Sequence, residues 1–416
     1  MAENLSARLP IRSELNAMLS QPTEQLRCLR KVLCLDDFAP AAQRHLPRPI
    51  FGYIAGAAER NDSFKDNESV FNELGFITRT LVDVSRRTMQ CTLFDKTYAA
   101  PFGIAPMGLA ALSSYRGDIA LAQAAQRAAI PMILSGTSLI PMEQVIAAAP
   151  SSWFQAYLPG DAARIEPLIA RVAAAGFAHL VVTVDIPVSA NRENNIRTGF
   201  STPLRPSLRL ALDGLQHPKW LIGTFFKTLL RQGMPHFENS FAQRGAPILS
   251  STVMRDFSQR DHLTWDHIAQ IRRQWKGVLI IKGILNLADA ELAKRHGVDG
   301  LILSNHGGRQ LDGAVSPMRV LEPIVEKMGA LPVMIDGGFR RGSDVLKALA
   351  LGARCVFLGR PFNYALAIAG EAGVCHAAHL LACEIDRNMA MLGLNRLDEV
   401  DRHSVIQKIP TSNLSK

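Results

Sequence analysis

Residues 278–304 read VLIIKGILNLADAELAKRHGVDGLILS and contain one complete repeat of the fold. Two short apolar runs, 278–282 and 300–304, flank a stretch at 287–296 whose apolar residues have helical spacing. An apolar run without polar alternation predicts a β-strand that is buried on both faces. Strand, helix and strand in this order predict two parallel strands joined by a crossover helix.

The same unit recurs from about residue 100 onward. Further apolar runs occupy 102–107, 131–135, 152–157, 179–185, 332–336 and 355–358, which makes eight runs in all. Helical patterns lie between them, for example at 118–129, 162–175 and 343–351. Eight strand–helix units predict an α/β fold of the (β/α)₈ or TIM-barrel type. A doubly wound open sheet is the structural alternative, but the number of units favours the barrel.

Two regions depart from the repeat. Residues 1–100 precede the first run, and we expect them to form an N-terminal helical cap on a barrel that spans 101–416. Residues 188–263 are an insertion after the fourth strand. A loop of that length within a compact domain is usually functional or disordered.

The composition limits the classes of function. The chain of 416 residues is 48% hydrophobic and 20% charged, as globular proteins are, and its net charge of +9 favours anionic partners. The absence of zinc-finger spacing and of a basic heptad region argues against nucleic acid. The six cysteines include no C-x-x-C pair, so we expect reduced side chains and no metal site. With no signal-peptide pattern and no bilayer-long apolar run, we expect a cytoplasmic protein.

Polar residues follow every predicted strand. The active site of such a barrel lies at the carboxyl ends of its strands. Any one polar residue there has a simple explanation, because strand ends meet solvent, but eight occupied ends predict a functional cluster. The residues at these ends include Gly108, Ser135, Gln155, Tyr157, Thr183, Asp185, Lys282, Ser304, Asp336 and Arg360.

The stretch S-N-H-G-G-R-Q-L-D-G at 304–313 suggests acid–base chemistry. His306 can exchange a proton near neutral pH, and Arg309 offers a forked donor to a carboxylate. Gly307 and Gly308 are interpreted as letting the backbone pass close to a flat ligand. A base beside a carboxylate clamp indicates a small acid that is oxidised at its α-carbon.

The last two strand ends predict a phosphate site. They read D-G-G-F-R at 336–340 and G-R-P at 359–361. Glycines let backbone N–H groups approach an anion, arginines add positive charge, and barrels often bind phosphate at this point. Glycines that serve only as tight turns are the alternative.

These motifs resemble the FMN-dependent L-2-hydroxy-acid oxidoreductases, a family of glycolate and lactate oxidases, lactate monooxygenase, and lactate and mandelate dehydrogenases. S-N-H-G-G-R-Q-L-D, D-G-G-x-R-R-G-x-D and L-G-R-P occur together in the family's order. F-Q-x-Y at 154–157, T-V-D at 183–185 and I-K-G at 281–283 accompany them. The resemblance covers roughly residues 34–388.

The resemblance implies FMN as the cofactor and a role for each matching residue. His306 would be the active-site base, oriented by Asp185. The substrate would be bound by Tyr53, Tyr157, Arg192 and Arg309. The flavin ring would be bound by Ala105, Pro106, Met107, Gly108, Ser135, Gln155, Thr183, Lys282 and Ser304. The ribityl chain and phosphate would be bound by Asp336, Gly337, Gly338, Arg340, Gly359 and Arg360.

The implied activity is oxidation of a lactate- or mandelate-like L-2-hydroxy acid to the 2-oxo acid. Hydride transfer and removal of the α-proton would use the same residues, so both mechanisms stay open. Gly108 resembles the dehydrogenases and the monooxygenase, so we expect quinone or another non-oxygen acceptor. Gly136-Thr137 stands where glycolate oxidases carry a tryptophan, which leaves the substrate side chain open. The family also suggests a homotetramer.

Four alternatives to this activity remain. Two are close to it, namely an oxidase that produces hydrogen peroxide and a lactate monooxygenase. An FMN barrel isomerase acting on a phosphorylated substrate would need no carboxylate clamp. A non-enzymatic binding protein would need neither His306 nor Lys282.

The insertion contains a candidate membrane-binding segment. Residues 217–237 read HPKWLIGTFFKTLLRQGMPHF and include no acidic residue. On a helix, the apolar residues Ile222, Phe225, Phe226 and Leu229 fall on one face, and Lys227 and Arg231 lie opposite. This pattern is typical of a helix in a bilayer interface, which would place the protein on the inner face of the cell membrane. Packing against the barrel or a neighbouring subunit is the alternative.

Overall fold

The computed structural model describes residues 28–201, 205, 208–250 and 259–408. The expectations for residues 1–27, for part of the insertion and for the last eight residues therefore lie outside the described chain. Its strands are β1 (Leu74–Phe76), β2 (Cys91–Leu93), β3 (Lys96–Tyr98), β4 (Phe102–Ile104), β5 (Ile133–Ser135), β6 (Trp153–Ala156), β7 (His179–Thr183), β8 (Val278–Ile284), β9 (Gly300–Leu303), β10 (Val333–Asp336), β11 (Val356–Leu358) and β12 (Val405–Gln407).

Strands β4 to β11 form a parallel barrel, which confirms the predicted fold. Each predicted apolar run coincides with one of these strands, although β8 extends two residues beyond its run, and neighbours in sequence pair in the order β5 to β11. Strand β11 then pairs with β4, and a parallel bridge between Ile104 and Met132 joins β4 to the start of β5. The strands are buried throughout except at a few ends, as expected when helices cover a parallel sheet.

Helices surround the barrel at the positions that the sequence patterns predict. The patterns at 118–129, 162–175, 287–296 and 343–351 each correspond to a helix. Among the described residues, the α-helices of four residues or more are α1 (Phe38–His45), α2 (Arg48–Ala55), α3 (Asp62–Ser69), α4 (Ala110–Ser113), α5 (Gly117–Arg127), α6 (Met142–Ala148), α7 (Ala162–Ala174), α8 (Glu193–Thr198), α9 (Leu208–Leu215), α10 (Lys227–Gln232), α11 (Trp265–Gln274), α12 (Leu287–Arg295), α13 (Met318–Met328), α14 (Gly342–Ala350) and α15 (Arg360–Leu392).

The amino end of the barrel is closed by a hairpin that the helical-cap prediction did not include. Strands β2 and β3 pair antiparallel there. Leu93 and Tyr98 from the hairpin pack with Trp153, Val181 and other side chains of the barrel interior. Because this end is plugged with apolar side chains, a cavity can open only at the carboxyl ends of the strands.

The long helix α15 is part of the core. By length and composition it is the one helix among the described residues that is apolar enough to cross a membrane. However, 61% of its most apolar window is buried in the protein, and it packs against α5 and α1. A break at Ala369 and Gly370 divides it into two parts. Burial of this kind is typical of the central helix of a globular domain.

The predicted amphipathic helix of the insertion is present and packs by its other face. It runs from Pro218 through a π-helical turn at Leu221–Phe226 into α10. Its buried side chains are Trp220, Thr224 and Thr228, and the Trp220 indole N–H donates to the Leu112 carbonyl at 2.7 Å. We define the insertion face as the exposed apolar side chains of this helix and of α9. They are Leu208, Leu212, Leu215, Ile222, Phe225, Phe226 and Leu230.

Candidate active site

A cavity of about 630 Å³ opens at the carboxyl ends of the barrel strands. Most of the predicted site residues line it. Those that do are Tyr53, Ala105, Pro106, Met107, Gly108, Tyr157, Arg192, Lys282, His306, Arg309, Asp336, Gly337, Gly338, Arg340, Gly359 and Arg360. Ser135, Gln155, Thr183, Asp185 and Ser304 lie at the strand ends beside or behind this lining.

His306 is held in a strained conformation by two contacts. Its φ of +58° lies in the left-handed region, which side-chain-bearing residues adopt at a cost. Its backbone N–H donates to the Ser304 hydroxyl at 2.9 Å, and its Nδ1 lies 3.1 and 3.2 Å from the two Asp185 carboxylate oxygens. With Nδ1 donating to the carboxylate, the neutral ring carries its free lone pair on Nε2.

The electrostatics keep His306 neutral near pH 7. Burial lowers the pKa of His306, and Asp185 opposes this effect without reversing it. Burial alone would raise the pKa of Asp185, but His306 and Lys282 shift it below its usual value. The pair is therefore a neutral imidazole beside a carboxylate, which can accept a proton and stabilise the resulting imidazolium.

Lys282 supplies a buried positive charge beside this pair. Its ammonium group lies 2.9 Å from the Asp336 carboxylate and donates to the Ser304 hydroxyl at 2.6 Å. Burial opposes the charge, but Asp336 and Asp185 raise the pKa of Lys282 overall. A bulge in the pairing of β8 with β9 directly follows Lys282, at the mouth of the barrel.

Two arginines share the cavity, and no ion pair joins either of them to an acidic side chain among the described residues. Arg309 donates to the carbonyls of Ile54 and Gly56, and Arg192 donates to the Arg309 carbonyl and the Gln310 side chain. Burial, followed by repulsion from Arg192, lowers the pKa of Arg309 to about 10. Two guanidinium groups that repel each other in a buried place form a favourable site for a carboxylate.

The N-terminal cap and the insertion also contribute to the cavity near Arg309. Helix α2 carries Tyr53, whose ring stacks on Phe200 at a centroid distance of 4.5 Å. The Arg309 guanidinium lies 5.0 Å above the same ring. Asn194 of the insertion donates to the Gly52 carbonyl at 2.8 Å, which ties α8 to α2. The site is thus assembled from three separate parts of the chain.

Several buried polar atoms at or near the strand ends have no hydrogen-bond partner within the part of the chain that the structure describes. They are Gln155 Nε2, Thr183 Oγ1, Asp336 Oδ1 and Asn363 Oδ1. The orientation of the Gln155 amide follows from its Oε1, which accepts from Ser135 and from the Gly136 N–H at 3.3 Å each. Such orphaned donors and acceptors require a polar ligand. Together they fit FMN, which offers a heterocycle with polar edges and a polyhydroxyl chain.

The predicted phosphate end differs in detail from the expectation. Arg360 donates to the carbonyls of Ile54, Gly56 and Gly307 at 2.9–3.1 Å, and Arg340 pairs with Glu68 at 2.9 Å. Both side chains line the cavity, but much of their donor capacity is used within the protein. Their role toward a phosphate stays a prediction.

The glycines next to His306 and Asp336 also serve close packing of α3. A Cβ on Gly308, where φ is +74°, would lie 2.7 Å from the Phe64 backbone nitrogen. At Gly338, where φ is +84°, a Cβ would collide with the Asn67 carbonyl. Gly308 therefore permits the close approach of a helix, whereas the sequence was interpreted as permitting the close approach of a flat ligand.

Several residues that line the cavity were not predicted from the sequence, among them two aromatic residues, an arginine and an asparagine. Phe200, Phe237 and Arg260 come from the insertion, and Asn363 comes from the first turn of α15. Nothing in the sequence indicates where the insertion returns to the barrel, so its contributions were not predictable. Asn363 follows the G-R-P motif by two residues, and this proximity was the one available signal.

Comparisons with known proteins agree with this geometry. A profile of the FMN-dependent dehydrogenases matches residues 42–407. The (S)-mandelate dehydrogenase of Pseudomonas putida is 38% identical over 360 residues, which cover 86% of this chain and 90% of that protein. An L-lactate dehydrogenase of Stenotrophomonas maltophilia (strain R551-3) is 38% identical over 381 residues, covering 89% and 97%.

The similarity extends to three-dimensional structure. A crystal structure of the monotopic membrane protein (S)-mandelate dehydrogenase superposes with a TM-score of 0.83 at 36% sequence identity, covering 91% of this chain and all of that one. The resemblance to FMN-dependent 2-hydroxy-acid oxidoreductases is thereby confirmed, with FMN as the cofactor. Because the family model matches residues 42–407, which is most of the sequence, the chain belongs to the FMN-dependent dehydrogenase family.

Proposed function

We propose that this enzyme oxidises an L-2-hydroxy acid to the corresponding 2-oxo acid. The observation that carries the proposal is the half-buried pair Arg192 and Arg309 in the same cavity as the His306–Asp185 pair. The arginines provide a site for a carboxylate, and His306 provides a base. The names of the related mandelate and lactate dehydrogenases support the same substrate class.

The residues of this chain would act in a defined order. Arg309 and Arg192 bind the carboxylate, and Tyr53 and Tyr157 contact the substrate beside it. His306 accepts a proton at Nε2, from the hydroxyl group or from the α-carbon, while Asp185 stabilises the imidazolium. Bound FMN would supply the acceptor for the two electrons that leave the α-carbon. The cation of Lys282 favours negative charge on the neighbouring ligand.

An anaerobic titration tests this activity. The purified yellow holoenzyme is mixed with (S)-mandelate or L-lactate while the flavin absorbance is recorded and the 2-oxo acid is assayed. Phenylacetate and propionate, which lack the hydroxyl group, serve as matched controls. We expect bleaching and one 2-oxo acid per flavin with a 2-hydroxy acid only. If no 2-hydroxy acid bleaches the flavin, the proposed function is wrong.

We further propose that the enzyme works at a membrane and passes electrons to a quinone. Support comes from the insertion face, where Ile222, Phe226 and Leu230 are 68%, 46% and 83% exposed. Each such side chain contributes on the order of 1 kcal/mol on transfer to an apolar phase. The exposed Lys227 and Arg231 add about 1 kcal/mol each near anionic lipid. One similar solved structure is of a monotopic membrane protein, which agrees with this arrangement.

Flotation with anionic vesicles tests the membrane attachment. We expect wild-type enzyme to float at low salt, and a variant with Ile222, Phe225, Phe226 and Leu230 all changed to serine to stay in solution. The matched control carries serine at four exposed apolar positions elsewhere, which are Leu33, Leu81, Met391 and Ile406. Equal flotation of all three proteins would show that the insertion face is not the anchor.

Two finer expectations remain part of the proposal. Attachment at the inner, cytoplasmic face of the cell membrane is tested by protease access in right-side-out and inside-out vesicles. The homotetramer that the family resemblance suggests is tested by sedimentation equilibrium of the detergent-solubilised enzyme. A protein accessible only from the outer face, or a monomer at working concentration, would contradict them.

A further inference from the structure

A second cavity, of about 390 Å³, lies beside the insertion face. It shares no lining residue with the cavity at the carboxyl ends of the strands. Its walls are the corner between α4 and α5, the segment that leads from β5 into α6, and α10 with the residues that follow it. Helix α10 also carries Leu230 of the insertion face, so the cavity lies next to the surface that would meet a membrane.

Close contacts hold the walls of the second cavity together. The Lys227 ammonium lies 4.5 Å from the centre of the Tyr115 ring, which joins the insertion helix to the corner between α4 and α5. At that corner, a Cβ on Gly117 would lie only 2.3 Å from the Ala110 carbonyl oxygen. Glycine therefore allows the two helices to meet, and this contact fixes the backbone next to Arg116 in the cavity wall.

The charges that line the second cavity do not balance. The charged lining residues are three arginines and one glutamate. Glu238 pairs with Arg244 at 2.8 Å. Arg116 and Arg231 are exposed, and neither side chain has an ion pair or a hydrogen bond within the described ranges. Asp118 is close to Arg116 in sequence, but it is buried within α5, and burial raises its pKa to about 7. The lining therefore attracts an anion.

A buried hydroxyl group in the same wall lacks a partner. Thr228 lines the second cavity from α10 and is only 7% exposed. Its Oγ1 makes no hydrogen bond to any residue that the structure describes. A helical threonine commonly bonds a carbonyl one turn earlier, and a buried hydroxyl without a partner is unfavourable. Thr228 is thus available to a polar group that enters the cavity.

These features together fit a phosphate group with an apolar substituent. Guanidinium groups and hydroxyls are good donors to phosphate oxygens. Leu139, Met234 and Pro235 line other parts of the cavity and suit an apolar neighbour of the phosphate. Soluble phosphate esters and phospholipid headgroups share this chemistry. The adjoining insertion face favours the lipid, because a membrane in contact with that face would present headgroups to the cavity.

We propose that the second cavity binds the phosphate group of an anionic phospholipid, with Arg116, Arg231 and Thr228 as the binding residues. The inference rests on the proposed membrane attachment, because the insertion face must bring the cavity to the lipid surface. It also goes beyond that attachment. The apolar insertion face would contact any bilayer, whereas the cavity would select lipids by their headgroup.

Two kinds of vesicle with equal surface potential test the proposal. Phosphatidylcholine vesicles contain either phosphatidylglycerol or oleate, with the amounts adjusted until the measured surface potentials agree. Oleate supplies negative charge without an anionic phosphate headgroup. We expect the wild-type holoenzyme to bind the phosphatidylglycerol vesicles about tenfold more tightly in flotation, because two arginines and a hydroxyl contact the headgroup. This comparison requires no variant to fold.

Three variants locate the preference, and their FMN absorbance shows whether each is folded. Arg116→Gln with Arg231→Gln should bind both kinds of vesicle equally. Thr228→Val keeps the shape and the charge and should reduce the preference by about threefold or more. The control, Arg205→Gln with Lys219→Gln, removes two exposed cations of the insertion that do not line the cavity, and it should keep the wild-type preference.

A calorimetric titration separates a lipid headgroup from a soluble phosphate. The holoenzyme in non-ionic detergent is titrated with inorganic phosphate and with glycerol phosphate, and the Arg116→Gln, Arg231→Gln variant corrects for binding elsewhere. We expect a Kd weaker than about 1 mM, because the isolated headgroup lacks the lipid chains and the membrane contact. Tighter binding would assign the cavity to a soluble phosphate ester and would overturn the lipid assignment.

The outcomes separate this inference from the attachment on which it rests. If wild type floats equally with both kinds of vesicle, the headgroup site is wrong and the membrane attachment stands. A preference that persists in the Arg116→Gln, Arg231→Gln variant, or that the control loses as well, also contradicts the site. If wild type floats with neither kind of vesicle, the membrane attachment itself fails, and the headgroup site fails with it.

Discussion

Replacing Arg309 with methionine tests the carboxylate clamp, and the structure sets the size of the effect. Burial and repulsion from Arg192 lower the pKa of Arg309 from 12.5 to about 10. At about 1.4 kcal/mol for each pH unit, the charged side chain is held at a cost of about 3 kcal/mol. A bound carboxylate would offset that cost, and this relief would add to the free energy of substrate binding.

The expected loss follows from removing one partner of a buried charge pair. Such a removal costs about 3–5 kcal/mol, which corresponds to a decrease of about two to four orders of magnitude in kcat/KM. Arg309→Met should therefore lose most of its activity toward (S)-mandelate or L-lactate, whichever the enzyme uses. The kcat/KM of Arg309→Lys should lie between those of wild type and Arg309→Met, because lysine keeps the charge but loses the forked pair of donors.

The assay compares the acid with its uncharged amide. Wild type should use (S)-mandelate far better than (S)-mandelamide, and Arg309→Met should lose this discrimination. Arg402→Met serves as the control, because Arg402 pairs with Glu322 on the surface. A wild-type enzyme that accepts acid and amide equally would refute the reasoning. So would an Arg309→Met variant with unchanged kcat/KM for the acid.

The remaining predictions concern the base, its partner, a packing contact and the acceptor. His306→Gln should keep its FMN but lose flavin reduction by at least about a hundredfold, which stopped-flow bleaching measures; rapid bleaching would contradict the role of base. Wild-type kcat/KM should decrease at acidic pH with an apparent pKa lower than 6.5, because neutral His306 is the active form and burial lowers its pKa. Asp185→Asn removes the charge that opposes this lowering, so the acid limb should move to lower pH while the rate falls; a limb that moves to higher pH would contradict the pairing. Asn305→Leu breaks a reciprocal amide pair with Asn67 at 2.8 and 2.9 Å and should lower the free energy of unfolding by about 2–4 kcal/mol in denaturant titrations, and a smaller change would show that the pair is dispensable. Turnover with oxygen should be much slower than with a quinone analogue in an oxygen electrode, and equal rates would identify an oxidase.

The barrel was predictable because its strands are buried on both faces. A strand with one face in solvent alternates polar and apolar residues, and a continuous apolar run such as 278–282 does not. Eight such runs separated by helical patterns leave few alternatives to a barrel. The hairpin of β2 and β3 was not predictable in the same way. Each of its strands has three residues, and pairs such as Thr92 with Thr97 show no apolar periodicity.

The candidate site was predictable where its residues follow strand ends. His306, Lys282 and Asp336 are adjacent to buried runs, so the barrel brings them together once its strands form. Arg192 and Tyr53 were assigned through family resemblance, since their position depends on the insertion and the cap. Arg260 was missed because its approach to Tyr157 depends on tertiary folding across most of the insertion.

The pattern of the insertion helix predicted its secondary structure but did not determine what each face of the helix contacts. The sequence identified one apolar face and two basic residues, and a helix packed on the barrel was the alternative. In the structure the helix does pack on the barrel, but through Trp220, Thr224 and Thr228. The apolar residues Ile222, Phe226 and Leu230 remain exposed, and contact of this face with a membrane stays a proposal.

The central claim is that His306 takes a proton from a 2-hydroxy acid that the arginine clamp binds beside FMN. Its most direct test is anaerobic stopped-flow reduction of the holoenzyme by a 2-hydroxy acid with hydrogen or deuterium on the α-carbon, compared in wild type and His306→Gln. We predict rapid bleaching in wild type, slower bleaching with deuterium, and very slow bleaching in the variant with its FMN content unchanged. Bleaching of His306→Gln at the wild-type rate, or no bleaching of wild type by any 2-hydroxy acid, would contradict the claim.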